Sequence, residues 1–456
     1  MKRFDLKSRG TSLTTEIIAG VTTFFAMAYI IVVNPSILSA TGMNEGGVFV
    51  ATILAAVIGT LIMGIIADVP YAQAPGMGLN AFFTYTVCMI MGFKWQEALA
   101  IVFICGLINI LITVTKVRKS IIKSIPLSLQ NAIGGAIGLF IAYLGLVNSG
   151  MIGFEAGVPE LSSFNNMAPL LTIIGLVITV VLLLLKIKGA IFLGIIASTI
   201  IGIFLGVVDL STFKLLDVSA IGEIKHTAFA FFGDVGFKSM FSSPDKILLA
   251  VVATFAFSLS DTFDTIGTFI GTGRVSGIFD AEDEKALENG KGFKSKMDKA
   301  LFADATATSI GALLGTSNTT TYVESASGIA AGGRTGITSM VTAVLFILCL
   351  PFSKVFGIVP SSAVAPALII VGIMMAGSLA NIKWDDFAEA VPAFLTLAFT
   401  ALTYNISYGI AAGFIFFVIT KITLGKAKEV HPIIYGSSAL FILNFVALAL
   451  KAAGII

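Results

Sequence analysis

Among the polar and ionisable side chains set in strongly apolar surroundings, five stand out for their chemistry: Asn80, Asp261, Asp264, Asp304 and Glu324. Asp261 and Asp264 stand three apart in ATFAFSLSDTFDTIGTFIG (253–271), so a helix puts both on one face. Glu324 follows a run of hydroxyl and amide side chains in GTSNTTTYVESASGIAAGG (315–333), and a string of small residues comes after it. A carboxylate offers hydrogen-bond acceptors and can take up a proton. At membrane depth an ionisable group costs at least ~2.5–3.5 kcal/mol, so its default reading is functional. The five do not weigh equally. Asp261 reads first as a packing or pairing group, with Thr306 or Thr308 as partner. Asp264 and Glu324 read as site residues because two separate unusual segments carry them. Asp304 stands between structural partner and proton route, and Asn80 between ligand contact and helix cap. Phe25, Tyr29 and Tyr322, taken singly, are packing aromatics before they are ligand contacts.

The elements that must position these groups are membrane spans. Of 456 residues, 57% are hydrophobic and only 12% charged, against roughly 25% charged in soluble domains. A soluble protein with many buried helices would need a charged outer layer that this composition lacks. Apolar segments of about 20 residues, enough to cross a hydrocarbon core, fall near 14–33, 48–67, 70–91, 96–115, 128–148, 168–186 and 190–208. They resume near 246–271, 298–314, 316–331, 335–350, 360–380, 386–404 and 406–423, here numbered spans 1 to 14, with a further apolar segment at 433–450. The N-terminal apolar run reads as a retained span and not as a signal peptide. The net charge of +2 carries no basic stripe for nucleic acid, and Cys88, Cys105 and Cys349 suggest neither a disulfide framework nor a metal site. No cofactor is expected.

Lysine and arginine give the orientation. They collect at the N-terminus, at 116–123, at Lys186 and Lys188, in the 272–297 loop and at Lys421, Lys426 and Lys428, whereas 34–47 and 149–167 have none. This bias predicts a cytoplasmic N-terminus. The two halves also resemble each other: 168–206 is similar to 391–425, and AVIGTLIMG (56–64) to TSIGALLGT (308–316). Seven spans per copy is an odd number, so the second copy enters the membrane inverted, as in many transporters.

Each copy contains one segment ill suited to a continuous helix. ADVPYAQAPGMGLNAFFTYTV (67–87) has Pro70 and Pro75; its counterpart has the Thr/Asn run 316–321. Extended backbone cannot face lipid, so the two stretches are expected to pair at mid-membrane, Thr319 to Thr321 against the stretch around Tyr71 to Ala74. Each then turns into a half-helix whose N-terminus faces a shared cavity. Glu324 lies at the start of one, Asn80 near the equivalent point of the other.

TTFFAMAYIIVVNP (22–35), APGMGLNAFF (74–83), FDTIGT (263–268) and GTSNTTTYVESASGI (315–329) resemble the signature segments of the AzgA-like purine permeases, a branch of the nucleobase:cation symporter-2 group. The resemblance implies an all-α polytopic fold of seven plus seven inverted spans, with spans 3 and 10 broken by short antiparallel strands. It implies a core domain from 1–116 and 246–355 and a gate domain from 117–245 and 356–456, with homodimers forming through the gate. It assigns substrate-site carboxylates to Asp264 and Glu324 and the polar residue of span 3 to Asn80. Phe25, Tyr322 and Val323 complete the candidate substrate-binding set, and Asp261 and Asp304 are held as proton coupling or structural support. The implied activity is import of a purine nucleobase across the cell membrane with protons, sodium being the less favoured ion. A carboxylate accepts N–H groups from a base edge, and an aromatic ring stacks on the base face. Competing readings are an anion transporter on the same scaffold, a passive channel and an intramembrane enzyme. Two carboxylates disfavour the first, the broken helices around one central site disfavour the second, and the lack of a protease motif disfavours the third.

Overall fold

The computed structural model describes residues 4–115, 125–154, 158–162, 166–211, 213–269, 272, 277–279, 283, 295–403 and 405–452. The basic segment 116–123 and most of the 272–297 loop lie outside them. Span 1 is Leu13–Met27, continued after a turn at Ala28 and Tyr29 by Ile30–Leu38. Spans 2, 4, 5, 6 and 7 are Glu45–Ile62, Trp95–Val114, Leu127–Asn148, Met167–Leu184 and Ala190–Phe204. Spans 8, 9 and 11 are Pro244–Thr268, Lys296–Leu314 and Gly336–Ile347; spans 12, 13 and 14 are Ser361–Ala376, Phe387–Leu402 and Ile406–Thr423. Among the described residues, eight helical stretches are long and apolar enough to cross a bilayer. The protein is therefore a multi-pass, all-α membrane protein.

The helices gather into two sets. Spans 1, 2, 4, 9 and 11 pack on one another, and span 8 lies on span 4; span 5 packs on spans 12, 13 and 14, with spans 6 and 7 completing the second set. Lipid tails are as apolar as leucine, so close backbone approach replaces the hydrophobic drive between spans. Spans 5 and 12 achieve it at Gly138 and Gly372, where a Cβ on either would come within 2.7 Å of the other's carbonyl oxygen.

Spans 3 and 10 are broken as the sequence predicts. Strand β1, Gln73–Pro75, pairs antiparallel with strand β2, Thr319–Thr321, placing Gln73, Ala74 and Pro75 opposite Thr321, Thr320 and Thr319. The pairing sits slightly farther along span 3 than expected, and Pro75 is inside the strand. It fits because its missing N–H removes one donor, while Gly76 N–H reaches the Asn318 carbonyl at 2.9 Å and Tyr322 N–H the Ala72 carbonyl at 3.0 Å. The outer edges are satisfied by side chains from spans 2 and 9, the two helices that lead into the strands. Thr60 Oγ1 accepts from Gln73 N–H at 2.9 Å and lies 3.1 Å from its carbonyl. Thr308 Oγ1 donates to the Thr319 carbonyl at 3.0 Å, and Asp304 Oδ1 accepts from Thr321 N–H at 2.8 Å. Thus these ladder groups, whose exposure to lipid would cost several kcal/mol each, meet protein partners.

The further apolar segment at 433–450 belongs to a helix, Pro432–Ala452. Phe441 is buried against Phe255 of span 8 and Phe414 of span 14, and Phe445 meets Tyr408. Later residues of this helix meet earlier residues of span 14, so the two run antiparallel.

Candidate functional site

The candidate site lies where the crossing strands, the half-helices and the middle of span 1 meet. After β2 the chain turns at Tyr322 and Val323 into the short helix Ser325–Ala330, and Glu324 occupies its N-cap position. Its carboxylate accepts a hydrogen bond from the Tyr29 hydroxyl. Tyr29 stands at the turn between the two helical segments of span 1. Tyr322 lies beside it, ring centroids 6.4 Å apart, and donates its hydroxyl to the Pro75 carbonyl at 2.6 Å. Both rings are buried, whereas Glu324 is half-buried and Asp264 exposed.

Span 8 brings Asp264 to the same place. Its neighbour Thr265 shares a 2.9 Å hydroxyl contact with Thr320 of β2. Asp264 also lies within electrostatic range of Glu324, Tyr29 and Tyr322. The carboxylates of Asp264 and Glu324, carried by separate spans, thus lie within electrostatic range of each other near the turn that follows β2.

The other acidic groups support the crossing from behind. Asp304 Oδ1 accepts from Thr321 N–H at 2.8 Å, Thr321 Oγ1 at 2.7 Å and Gln73 Nε2 at 3.2 Å, pinning both strands to span 9. Asp261 Oδ2 accepts from Asn109 Nδ2 at 3.0 Å and lies 3.2 Å from the hydroxyl of Thr308, the span-9 partner named from sequence. Its Oδ1 is buried without a hydrogen-bond partner among the described residues. Asn80 is fully buried in the half-helix Met77–Ala81; it accepts from Ser317 and its amide lies 3.4 Å from the Pro75 carbonyl. Phe25 and Val323 are exposed by 43% and 44%. Phe25 lies one turn below Tyr29, and its backbone is met by the turn at Gly189 between spans 6 and 7.

Sequence reasoning passed over Gln73, Asn109 and the span-1 residue Glu16, all buried and hydrogen-bonded. Asn109 could have been found as an amide inside the otherwise apolar span 4. Glu16 gave no signal, because a charge at the head of a first span looks like a surface residue.

Residues 14–412 match the model for Xan_ur_permease, the Permease family. The chain belongs to this family. It is 42% identical to the guanine/hypoxanthine permease PbuG of Bacillus subtilis (strain 168), over 98% of this chain and 99% of that protein. It is 38% identical to the adenine permease AdeP of Escherichia coli (strain K12), over 97% and 95% of the two chains. The resemblance drawn from four motifs therefore extends along nearly the whole permease. Among solved structures, the transmembrane domain of the cyanobacterial bicarbonate transporter BicA shares its fold, with a TM-score of 0.63 at 16% identity over 87% of this chain and 97% of that one. The permease thus has the inverted-repeat transporter fold, with the two broken spans at its centre.

Proposed function

We propose that this permease imports purine nucleobases by proton symport, with Glu324 and Asp264 as the carboxylates of the substrate site. The observation that carries the reading is that these two carboxylates, from separate spans, lie within electrostatic range of each other, with Tyr29 bonded to Glu324 and Tyr322 beside Tyr29. A purine is neutral and planar and presents ring N–H donors on its edge. A carboxylate accepts such donors as it does from a base edge in nucleic-acid recognition. Relatives that carry guanine, hypoxanthine or adenine in their names support this substrate class. Phe25 and Val323, both exposed, and the buried Asn80 and Tyr322 complete the proposed lining. Protonation of one acidic residue would couple the ion gradient to uptake.

Spans 1–4 and 8–11 act as the core and spans 5–7 and 12–14 as the gate, and movement of one against the other gives alternating access. The grouping of packed helices supports this division. The chain sits in the plasma membrane with its N-terminus in the cytoplasm, following the Lys/Arg bias, and pairs through the gate into a homodimer. An anion substrate has the shared fold of a bicarbonate transporter in its favour, but two carboxylates in the proposed site would repel it. Uptake of labelled hypoxanthine against labelled sulfate, in cells lacking their own purine permeases, tests the reading. Accumulation of sulfate and not hypoxanthine would reverse it.

A further inference from the structure

The half-helix that carries Glu324 is held at both ends by the same neighbour, span 1. At its N-terminal end Tyr29 donates to Glu324. Just beyond its C-terminal end the chain turns through Gly332, Gly333 and Arg334 into span 11. There Glu16, 13 residues before Tyr29 on span 1 and 0% exposed, gathers four donors. It accepts from the backbone N–H groups of Arg334 at 2.9 Å, Thr335 at 3.3 Å and Thr338 at 3.2 Å, and from Thr338 Oγ1 at 2.6 Å. These are the amides at and just before the first turn of span 11, where backbone donors lack full helical partners; Thr338 N–H also reaches the Thr335 carbonyl at 3.2 Å.

The surface between the two ends is built for contact. A Cβ on Gly328 would come within 2.0 Å of Thr23 Oγ1 and 2.7 Å of the Ala19 carbonyl, and one on Gly333 within 2.9 Å of the Ala19 methyl. Glu16, Ala19 and Thr23 follow the spacing of one helical face. The half-helix therefore lies against span 1 with no side chain between them at Gly328. Its height along span 1 is set by its two ends. Arg334 adds to the lower end, donating to the carbonyls of Ile329 at 2.6 Å and Gly333 at 2.7 Å.

We propose that Glu16 is a positioning residue for the nucleobase site: anchoring the start of span 11 to span 1, it fixes the height of the span-10 half-helix and so the alignment of Glu324 with Tyr29. The inference rests on the substrate site proposed above. Glu16 touches no part of that site and acts through the half-helix alone.

The test is a kinetic split, read on full-length protein with membrane abundance measured in parallel. Glu16→Ala should raise the KM for hypoxanthine about tenfold, the scale of a lost buried acceptor, with Vmax per transporter within about twofold. Glu16→Gln keeps an acceptor oxygen and should recover most of the affinity. Thr338→Val deletes only the hydroxyl bond at nearly constant shape and serves if Glu16→Ala fails to accumulate; it should raise KM by a few-fold. Unchanged KM in Thr338→Val and in any Glu16 variant that accumulates overturns the proposal, as does a loss confined to Vmax. Glu324→Gln is run beside them. If it abolishes high-affinity uptake while the Glu16 and Thr338 variants behave as wild type, the positioning role fails and the substrate site stands. If Glu324→Gln itself transports normally, the substrate site is what fails.

Discussion

The Tyr29 hydroxyl donates to the Glu324 carboxylate, joining the turn within span 1 to the start of the span-10 half-helix. Tyr29 lies at the turn between two helical segments, and Glu324 where extended chain becomes helix. The contact leaves Glu324 half-buried, with Asp264 in electrostatic range.

Glu324→Gln and Asp264→Asn should each reach the membrane and lose high-affinity uptake of hypoxanthine. Losing a charged acceptor costs about 1.5–3 kcal/mol, or roughly 10- to 100-fold in affinity. Initial rates over a substrate series, normalised to membrane abundance, decide it. Near-normal uptake by both variants removes these carboxylates from the site.

Uptake should rise as external pH falls from neutral, because the proton is a co-substrate and its outside concentration increases. A protonophore should collapse accumulation. Uptake that needs sodium at constant pH, and survives the protonophore, would identify the other coupling ion.

Asp304→Ala should destabilise the protein through the strand crossing and not through ligand contact. The substitution strands the Thr321 amide and two side-chain donors in a dry interior. Each unsatisfied buried group costs about 1–3 kcal/mol. A marked fall in the thermal midpoint in detergent is expected, with Asp304→Asn, which keeps an acceptor oxygen, falling less. An unchanged midpoint for Asp304→Ala would mean that the crossing does not depend on span 9.

Val323→Cys, made after replacing Cys88, Cys105 and Cys349 by serine or alanine, should react with a water-soluble thiol reagent. Saturating hypoxanthine should slow that reaction. The expectation rests on the 44% exposure of Val323 next to Glu324. Labelling that a lipid-soluble reagent achieves and a water-soluble one does not would turn Val323 toward lipid and out of the proposed lining.

Much of this was legible in one dimension. Apolar runs of membrane length marked the spans, because hydrocarbon admits little else. Proline and the threonine run marked the two broken segments, because such residues disfavour helix. The strand register was readable only approximately: the sequence argued for pairing near Tyr71 to Ala74, and the ladder is Gln73–Pro75. Register depends on where Thr60, Thr308 and Asp304 deliver their side chains, and those come from other spans.

By itself, then, the sequence determined the solvent of this protein, its broken helices and the carboxylates worth suspecting, since each follows from local composition and the cost of charge in lipid. Which of those groups meet was decided only by tertiary structure. Asp261 and Asp264 stand three residues apart on one span, yet Asp261 is buried and bonded to Asn109 and Thr308 while Asp264 is exposed, within electrostatic range of Glu324. Glu16 looked like a surface charge and is buried, because the amides that satisfy it belong to residues more than 300 positions away. Hydrogen-bond partners supplied by distant spans leave no periodic trace in the chain, and only folding brings them within reach.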